Sequence, residues 1–192
     1  MSLLIMGIDP GMRNTGVALM SYSLAEGRKL LDLRLIRTKK GTKKLGMRAK
    51  SDDMRSLGEV IEQFDEVLRI WPPDILALEE CPSIRQNATS TRKVALAWGA
   101  IYALATRTPG VLTFEFGPKA LKSVATGSEG ASKAEMIAAV SARHSEFEGF
   151  CAKHKITKSL QEHLADAVAA CWKAAEEPAA MQLARACERA GA

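Results

Sequence analysis

Leu3-Leu4-Ile5-Met6-Gly7-Ile8-Asp9-Pro10-Gly11 is the stretch on which the fold turns. An apolar run of strand length closes on an aspartate and is cut off at once by a Pro-Gly turn signal. Asp9 therefore stands where a strand runs out, a place where a carboxylate is held rigidly yet reaches solvent. Its plainer reading is a turn former in Asp-Pro-Gly. Working outward, Thr15 to Tyr22 and Leu30 to Ile36 are apolar at strand length and separated by a Glu26-Gly27 turn, so the first three strands form a meander. Behind a Ser51 cap and the acids Asp52 and Asp53, Met54, Leu57, Val60, Ile61, Phe64, Val67 and Leu68 recur at helical spacing until Trp71-Pro72-Pro73. Asp74 to Glu80 is a fourth strand, broken by Cys81-Pro82.

The alanine-rich span Thr91 to Arg107, with Val94, Leu96, Trp98, Ile101 and Leu104, predicts a helix that packs closely on a sheet and ends at Pro109-Gly110. Val111 to Phe116 is a fifth strand, followed by a loop at Gly127 to Gly130. A helix then starts near Ser132, where Ser-Lys-Ala-Glu matches a capping box. Leu160 to Ala175 and Ala179 to Ala190 fit two further helices separated by Pro178. This order predicts an α/β fold with a five-stranded mixed sheet and helices on both faces. No internal repeat or low-complexity linker divides the chain. Residues 1–192 read as one domain with a basic loop at about 37–50 and a C-terminal helix at about 179–190.

The 192 residues are 47% apolar, 26% charged and 5% aromatic, which excludes disordered, collagenous and coiled-coil classes. At this length folding buries roughly 70% of the unfolded chain's surface, so no disulfide or structural zinc is needed. Cys81, Cys151, Cys171 and Cys187 are scattered without a CxxC pair, and Leu3 to Met6 is too short for a leader or a membrane span. The expectation is a cytoplasmic protein with reduced thiols and no membrane association. Lys and Arg outnumber Asp and Glu by 27 to 22, which points to an anionic partner. Arg37, Lys39, Lys40, Lys43, Lys44, Arg48 and Lys50 fall within RTKKGTKKLGMRAK with no acid among them. That run reads as a mobile loop offered to phosphates or as a merely solvated one.

Glu79 and Glu80 end the fourth strand, and alternation lets only one of them share a face with the other candidates. Both faces of this strand are apolar, so parity does not choose between them. His163 and Asp166, at i and i+3, put an imidazole and a carboxylate on one helix face, with Glu162 and Asp166 as an alternative acidic pair. A surface pair is the bland reading. Together these groups offer mostly oxygen donors, the set that hard divalent cations such as Mg²⁺ or Mn²⁺ require. GxxxxGK[ST], GxGxxG and GxSxG motifs are absent, which sets aside nucleotide-loop and serine-elbow chemistry.

Gly7-Ile8-Asp9-Pro10-Gly11, with Thr15-Gly16-Val17-Ala18, resembles the opening motif of the RuvC family of Holliday junction resolvases. Leu76-Ala77-Leu78-Glu79-Glu80 resembles that family's fourth-strand acid segment, and the resemblance assigns the catalytic position to Glu79. Lys122 and Lys133 resemble its two basic residues near the scissile phosphate, Asn87 and the following helix also fit, and His163-Leu164-Ala165-Asp166-Ala167 resembles its closing helical motif. The similarity spans about Leu3 to Ala175. It implies an RNase H-like fold and a homodimer with one active site per subunit. It also implies a divalent-metal-dependent endonuclease that resolves four-way junctions by paired symmetric nicks leaving 5′-phosphates. On this resemblance Asp9, Glu79, His163 and Asp166 hold two Mg²⁺ or Mn²⁺ ions, and Lys133 and Lys122 face the phosphate. DNA contacts are expected at Lys39, Lys40, Lys43, Lys44, Arg48, Lys50, Arg85, Asn87, Lys122 and Lys133. A branch-migration helicase is a possible partner.

Three departures stand out. Histidine occupies position 163 where some members carry a carboxylate, Cys81-Pro82-Ser83 replaces the family's common junction-wedging aromatic, and the basic segment runs longer than usual. The alternatives are a broader branched or flap DNA nuclease and a non-catalytic junction-binding protein on the same fold.

Overall fold

The computed structural model describes residues 2–41, 49–81 and 88–190. Strands β1 (Leu3–Asp9), β2 (Asn14–Ser23) and β3 (Gly27–Arg37) form the expected antiparallel meander. β4 (Ile75–Glu79) and β5 (Leu112–Phe116) extend the sheet beyond β1 as parallel strands, giving the order β3-β2-β1-β4-β5. The helices are α1 (Ala49–Ile70), α2 (Ala88–Ala105), α3 (Pro118–Thr126), α4 (Lys133–Arg143), α5 (Glu146–Lys153), α6 (Lys158–Ala175) and α7 (Pro178–Ala190). The capping box at the start of α4 forms as expected, with Ser132 and Glu135 each accepting from the other's backbone N–H.

The hairpin of β2 and β3 is longer than its apolar runs suggest, because pairing continues to Ser23 and Gly27, whose φ of 75° closes the turn. α1 begins at Ala49 rather than behind a Ser51 cap. Helices α3 and α5 are additions to the sequence reading. α3 has nine residues, with Pro118 in its first turn and a left-handed Gly127 at its end whose N–H donates to the Ser123 carbonyl. α5 has eight residues, and its two buried side chains, Phe147 and Cys151, make too short an apolar pattern to distinguish from a loop.

Alternation along the strands builds two apolar layers. Leu3 and Ile5 of β1 and Ile75 and Ala77 of β4 face α6, whose Leu164, Val168 and Trp172 are fully or almost fully buried. Met6, Ile8, Leu76 and Leu78 face Val60 and Phe64 of α1 and Ile101 and Ala105 of α2. Helix α6 lies unusually close to the sheet. A Cβ placed on Gly7 would sit 1.9 Å from the Ala167 carbonyl oxygen, and one on Gly16 2.0 Å from that of His163. Only glycine on β1 and β2 permits this approach, and alanines along α6 continue it.

Candidate active site

Strand parity now decides between the two glutamates. Asp9 continues the Leu3-Ile5-Gly7 side of β1, and Glu79 continues the Ile75-Ala77 side of β4, so both carboxylates turn toward α6. β1 and β4 are parallel and paired in register from Ile5 with Ile75 to Ile8 with Leu78, which sets the two acids side by side at the C-terminal ends of neighbouring strands. Asp166 arrives from α6. One oxygen from each of Asp9, Glu79 and Asp166 lies within 4.8 Å of the others, and all three residues are half-buried. His163, one turn earlier on α6, places its Nδ1 2.5 Å from Asp9 Oδ2.

Crowding like charges in a partly desolvated place disfavours their ionised forms. Burial, followed by the charges of Asp9 and Asp166, pushes the Glu79 carboxyl up to about 8. Burial and then the charge of Asp9 push Asp166 up to about 7. His163 responds in the opposite sense: burial opposes its charging, yet the hydrogen bond to Asp9 and that carboxylate's charge hold the ring above its ordinary value. The trio is thus short of positive charge, and its oxygen donors match a hard divalent cation.

Two lysines close the other side of the trio. Glu79, Asp166, Glu162, Lys122 of α3 and Lys133 of α4 line a cleft of about 160 Å³. Lys122 is carried by α3, a helix the sequence reading does not predict. Lys133 is the first residue of α4, and its Nζ lies 2.5 Å from Glu162 Oε2, a contact that raises its pKa. Glu162, which the sequence offers only as an alternative companion of Asp166, is instead the partner of Lys133.

The basic segment departs from a freely mobile loop over its described part. Arg37 is the last residue of β3, and Lys50 has helical backbone in α1. Between them, the Thr38 hydroxyl donates to the Met12 carbonyl at 2.8 Å, Arg13 Nη1 donates to the Lys39 carbonyl at 3.0 Å, and the Gly41 N–H donates to Asp52 Oδ1 at 2.8 Å. Lys39 and Lys40 project outward, exposed, from this anchored backbone. Asp52 also pairs with Arg13 at 2.6 Å and Arg55 at 2.8 Å, while Asp53 pairs with Arg92 at 2.5 Å and Lys93 at 3.0 Å. These buried acids do more than begin a helix, since they tie the β1–β2 turn, the end of β3, α1 and α2 together. Arg55 and Arg13 hold the Asp52 carboxyl well below the usual carboxylate range. Lys43, Lys44, Arg48, Arg85 and Asn87 lie outside the described residues, as do Pro82 and Ser83.

The family described as "Crossover junction endodeoxyribonuclease RuvC" matches residues 5–172. The chain belongs to the RuvC family. A Chlorobium phaeobacteroides crossover junction endodeoxyribonuclease RuvC is 29% identical over 177 residues, covering 92% of this chain and 88% of the relative. Its counterpart in Mycobacterium ulcerans is 31% identical over 138 residues, covering 71% and 68%. Among solved structures, Thermus thermophilus RuvC in complex with a Holliday junction substrate superposes with a TM-score of 0.69 at 26% identity, covering 95% of this chain and 97% of that one. The yeast mitochondrial Holliday junction resolvase, at 16% identity and a TM-score of 0.63 over 95% of this chain and 83% of that one, shares the fold. The RNase H-like architecture implied by the family resemblance is therefore the architecture observed.

Proposed function

We propose that this RuvC-family nuclease resolves four-way DNA junctions by paired symmetric nicks that leave 5′-phosphates, using two Mg²⁺ or Mn²⁺ ions per active site. The observation that carries the reading is the convergence of Asp9, Glu79 and Asp166 within 4.8 Å, with Glu79 and Asp166 lining a cleft together with Lys122 and Lys133. In this reading Asp9, Glu79 and Asp166 hold the ions, with His163 as a further ligand. Bound there, the ions supply an activated water nucleophile and charge stabilisation at the leaving 3′ oxygen. The chain's own residues do the rest. The strand ends fix Asp9 and Glu79, α6 fixes Asp166, and Lys133 and Lys122 offset negative charge on the scissile phosphate.

Lys39 and Lys40, joined by Lys43, Lys44, Arg48 and Lys50, follow the phosphate backbone of a junction arm, with Arg85 and Asn87 as further DNA contacts. Two nicks of matched position require two sites, hence a homodimer of a single nuclease domain, and a branch-migration helicase is a fitting partner. A cytoplasmic setting accords with four free cysteines. Among the described residues no helix is long and apolar enough to cross a membrane.

A second reading, a broader branched or flap nuclease, is favoured by Cys81-Pro82-Ser83 in place of a wedging aromatic. The non-catalytic reading is disfavoured by the cost of the acid cluster, because a protein that only binds gains nothing from holding Glu79 and Asp166 against each other. The test is cleavage of a labelled immobile four-way junction beside linear duplex and flap DNA, with Mg²⁺ or Mn²⁺, by the natural protein and Asp9→Asn. Symmetric nicks near the crossover from the natural protein alone are expected. Equal cutting of flaps supports the broader nuclease, and tight junction binding without any cutting overturns the catalytic assignment.

A further inference from the structure

Three acids line the cleft, and of these Glu79 and Asp166 belong to the close trio while Glu162 does not. Its two oxygens look in different directions. Oε2 is 2.5 Å from Lys133 Nζ, and Oε1 is 3.9 Å from His163 Nε2, whose ring contacts Asp9 through Nδ1 at 2.5 Å. Asp9, His163, Glu162 and Lys133 thus form an alternating chain of acid and base that runs from the trio to the rim. The two ends of the last link are unequally held, since the Glu162 side chain is 18% exposed and that of Lys133 is 78% exposed. Lys133 also sits at the first position of α4, where the helix dipole disfavours a cation, so its placement does not serve the helix.

We infer that Glu162 is a positioning residue that holds Lys133 over the acid cluster in the free protein and yields it to the substrate phosphate on binding. The inference rests on the proposal that Lys133 neutralises the scissile phosphate. An exposed lysine with a long flexible stem would otherwise have to be ordered during the reaction, whereas a lysine already leaning on the cleft exchanges one anionic partner for another. A buried structural ion pair would behave differently, because its loss would act on folding and be felt whether or not the lysine takes part in cutting.

The test is a double-mutant cycle read by single-turnover cleavage of the four-way junction. The variants are Glu162→Gln, Lys133→Ala and the pair, with junction affinity measured in EDTA and thermal melting as controls. Glu162→Gln is expected to slow cleavage roughly tenfold with affinity within about twofold and unchanged melting, and to slow Lys133→Ala by less than about twofold. An equal slowing by Glu162→Gln in both backgrounds, or cleavage by Glu162→Gln at the natural rate, overturns the positioning role. Lys133→Ala cutting at the natural rate overturns the proposal on which it rests, a result distinct from either.

Discussion

Replacing Glu79 by glutamine should stabilise the metal-free protein while ending cleavage. In the folded chain the Glu79 carboxyl titrates near 8, against 4.5 for the ordinary side chain. A raised carboxyl is neutral in both states below about 4.5, and between there and about 8 only the unfolded chain releases its proton, so stability falls as pH rises through this window. At 1.36 kcal/mol per pH unit the displacement bounds the penalty at about 5 kcal/mol at pH 9. The side chain opens onto a solvated cleft, and that screening leaves about 2 kcal/mol. Glu79→Gln removes this penalty and keeps the shape. In EDTA at pH 9 it should therefore melt roughly 4–8 °C above the natural protein, whereas at pH 5 the difference should fall below about 0.5 kcal/mol. With Mn²⁺ at 100 times its dissociation constant the natural protein should regain about 2.7 kcal/mol, and the variant little of it. The assay is thermal unfolding followed by circular dichroism at both pH values, with and without metal. A Glu79→Gln gain that is the same at pH 5 and pH 9, or absent at pH 9, would refute charge crowding as the organising feature of the site.

Metal binding near pH 7 should release protons, because Glu79 and Asp166, raised to about 8 and about 7, must ionise to become ligands. Mn²⁺ affinity should accordingly climb from pH 6 to 8, and calorimetry at pH 7 that gives the same heat in buffers of different ionisation enthalpy would contradict this. Gly16→Ala sets a methyl 2.0 Å from the His163 carbonyl, with only backbone to yield. It should cost about 3 kcal/mol, lower Tm by roughly 6–12 °C and impair cleavage through the displaced His163, all readable by melting and single-turnover rates. Lys39→Ala with Lys40→Ala should weaken junction binding and flatten its dependence on log salt by about 0.9 for each phosphate that is no longer neutralised. An unchanged slope would place the DNA elsewhere.

The strands and the long helices were legible because each carries an apolar period and a boundary signal of its own. Leu3–Asp9 is bounded by Asp9-Pro10-Gly11, and α4 by its capping box. The choice between Glu79 and Glu80 was not legible from β4 alone, since both of its faces are apolar and buried. It depends on which face receives α6, a meeting of segments far apart in the chain, and only the resemblance supplied it in advance. α3 and α5 escaped because eight or nine residues give barely two apolar repeats, although Gly117-Pro118 and Gly127 bracket α3 as start and stop signals. The pairing of Asp52 and Asp53 with Arg13 and Arg92 was hidden for the same reason as the parity, since each partner is 39 residues away.

What joins fold to site is the distance between α6 and the sheet. Asp9 and Glu79 are fixed by strand ends, so a third carboxylate can reach them within 4.8 Å only if its helix lies almost on the strands. The bare Cα atoms of Gly7 and Gly16 beneath the Ala167 and His163 carbonyls are what allow that. The two glycines of the opening motif therefore act as spacers for the helix that carries His163 and Asp166, which links the first motif of the chain to its last across more than 140 residues of sequence. The close approach also explains why the helix side of the site is sensitive: a side chain added at Gly7 or Gly16 pushes against the α6 backbone that carries His163 and Asp166, and the trio then loses the proximity that both burdens it with repulsion and suits it to a cation.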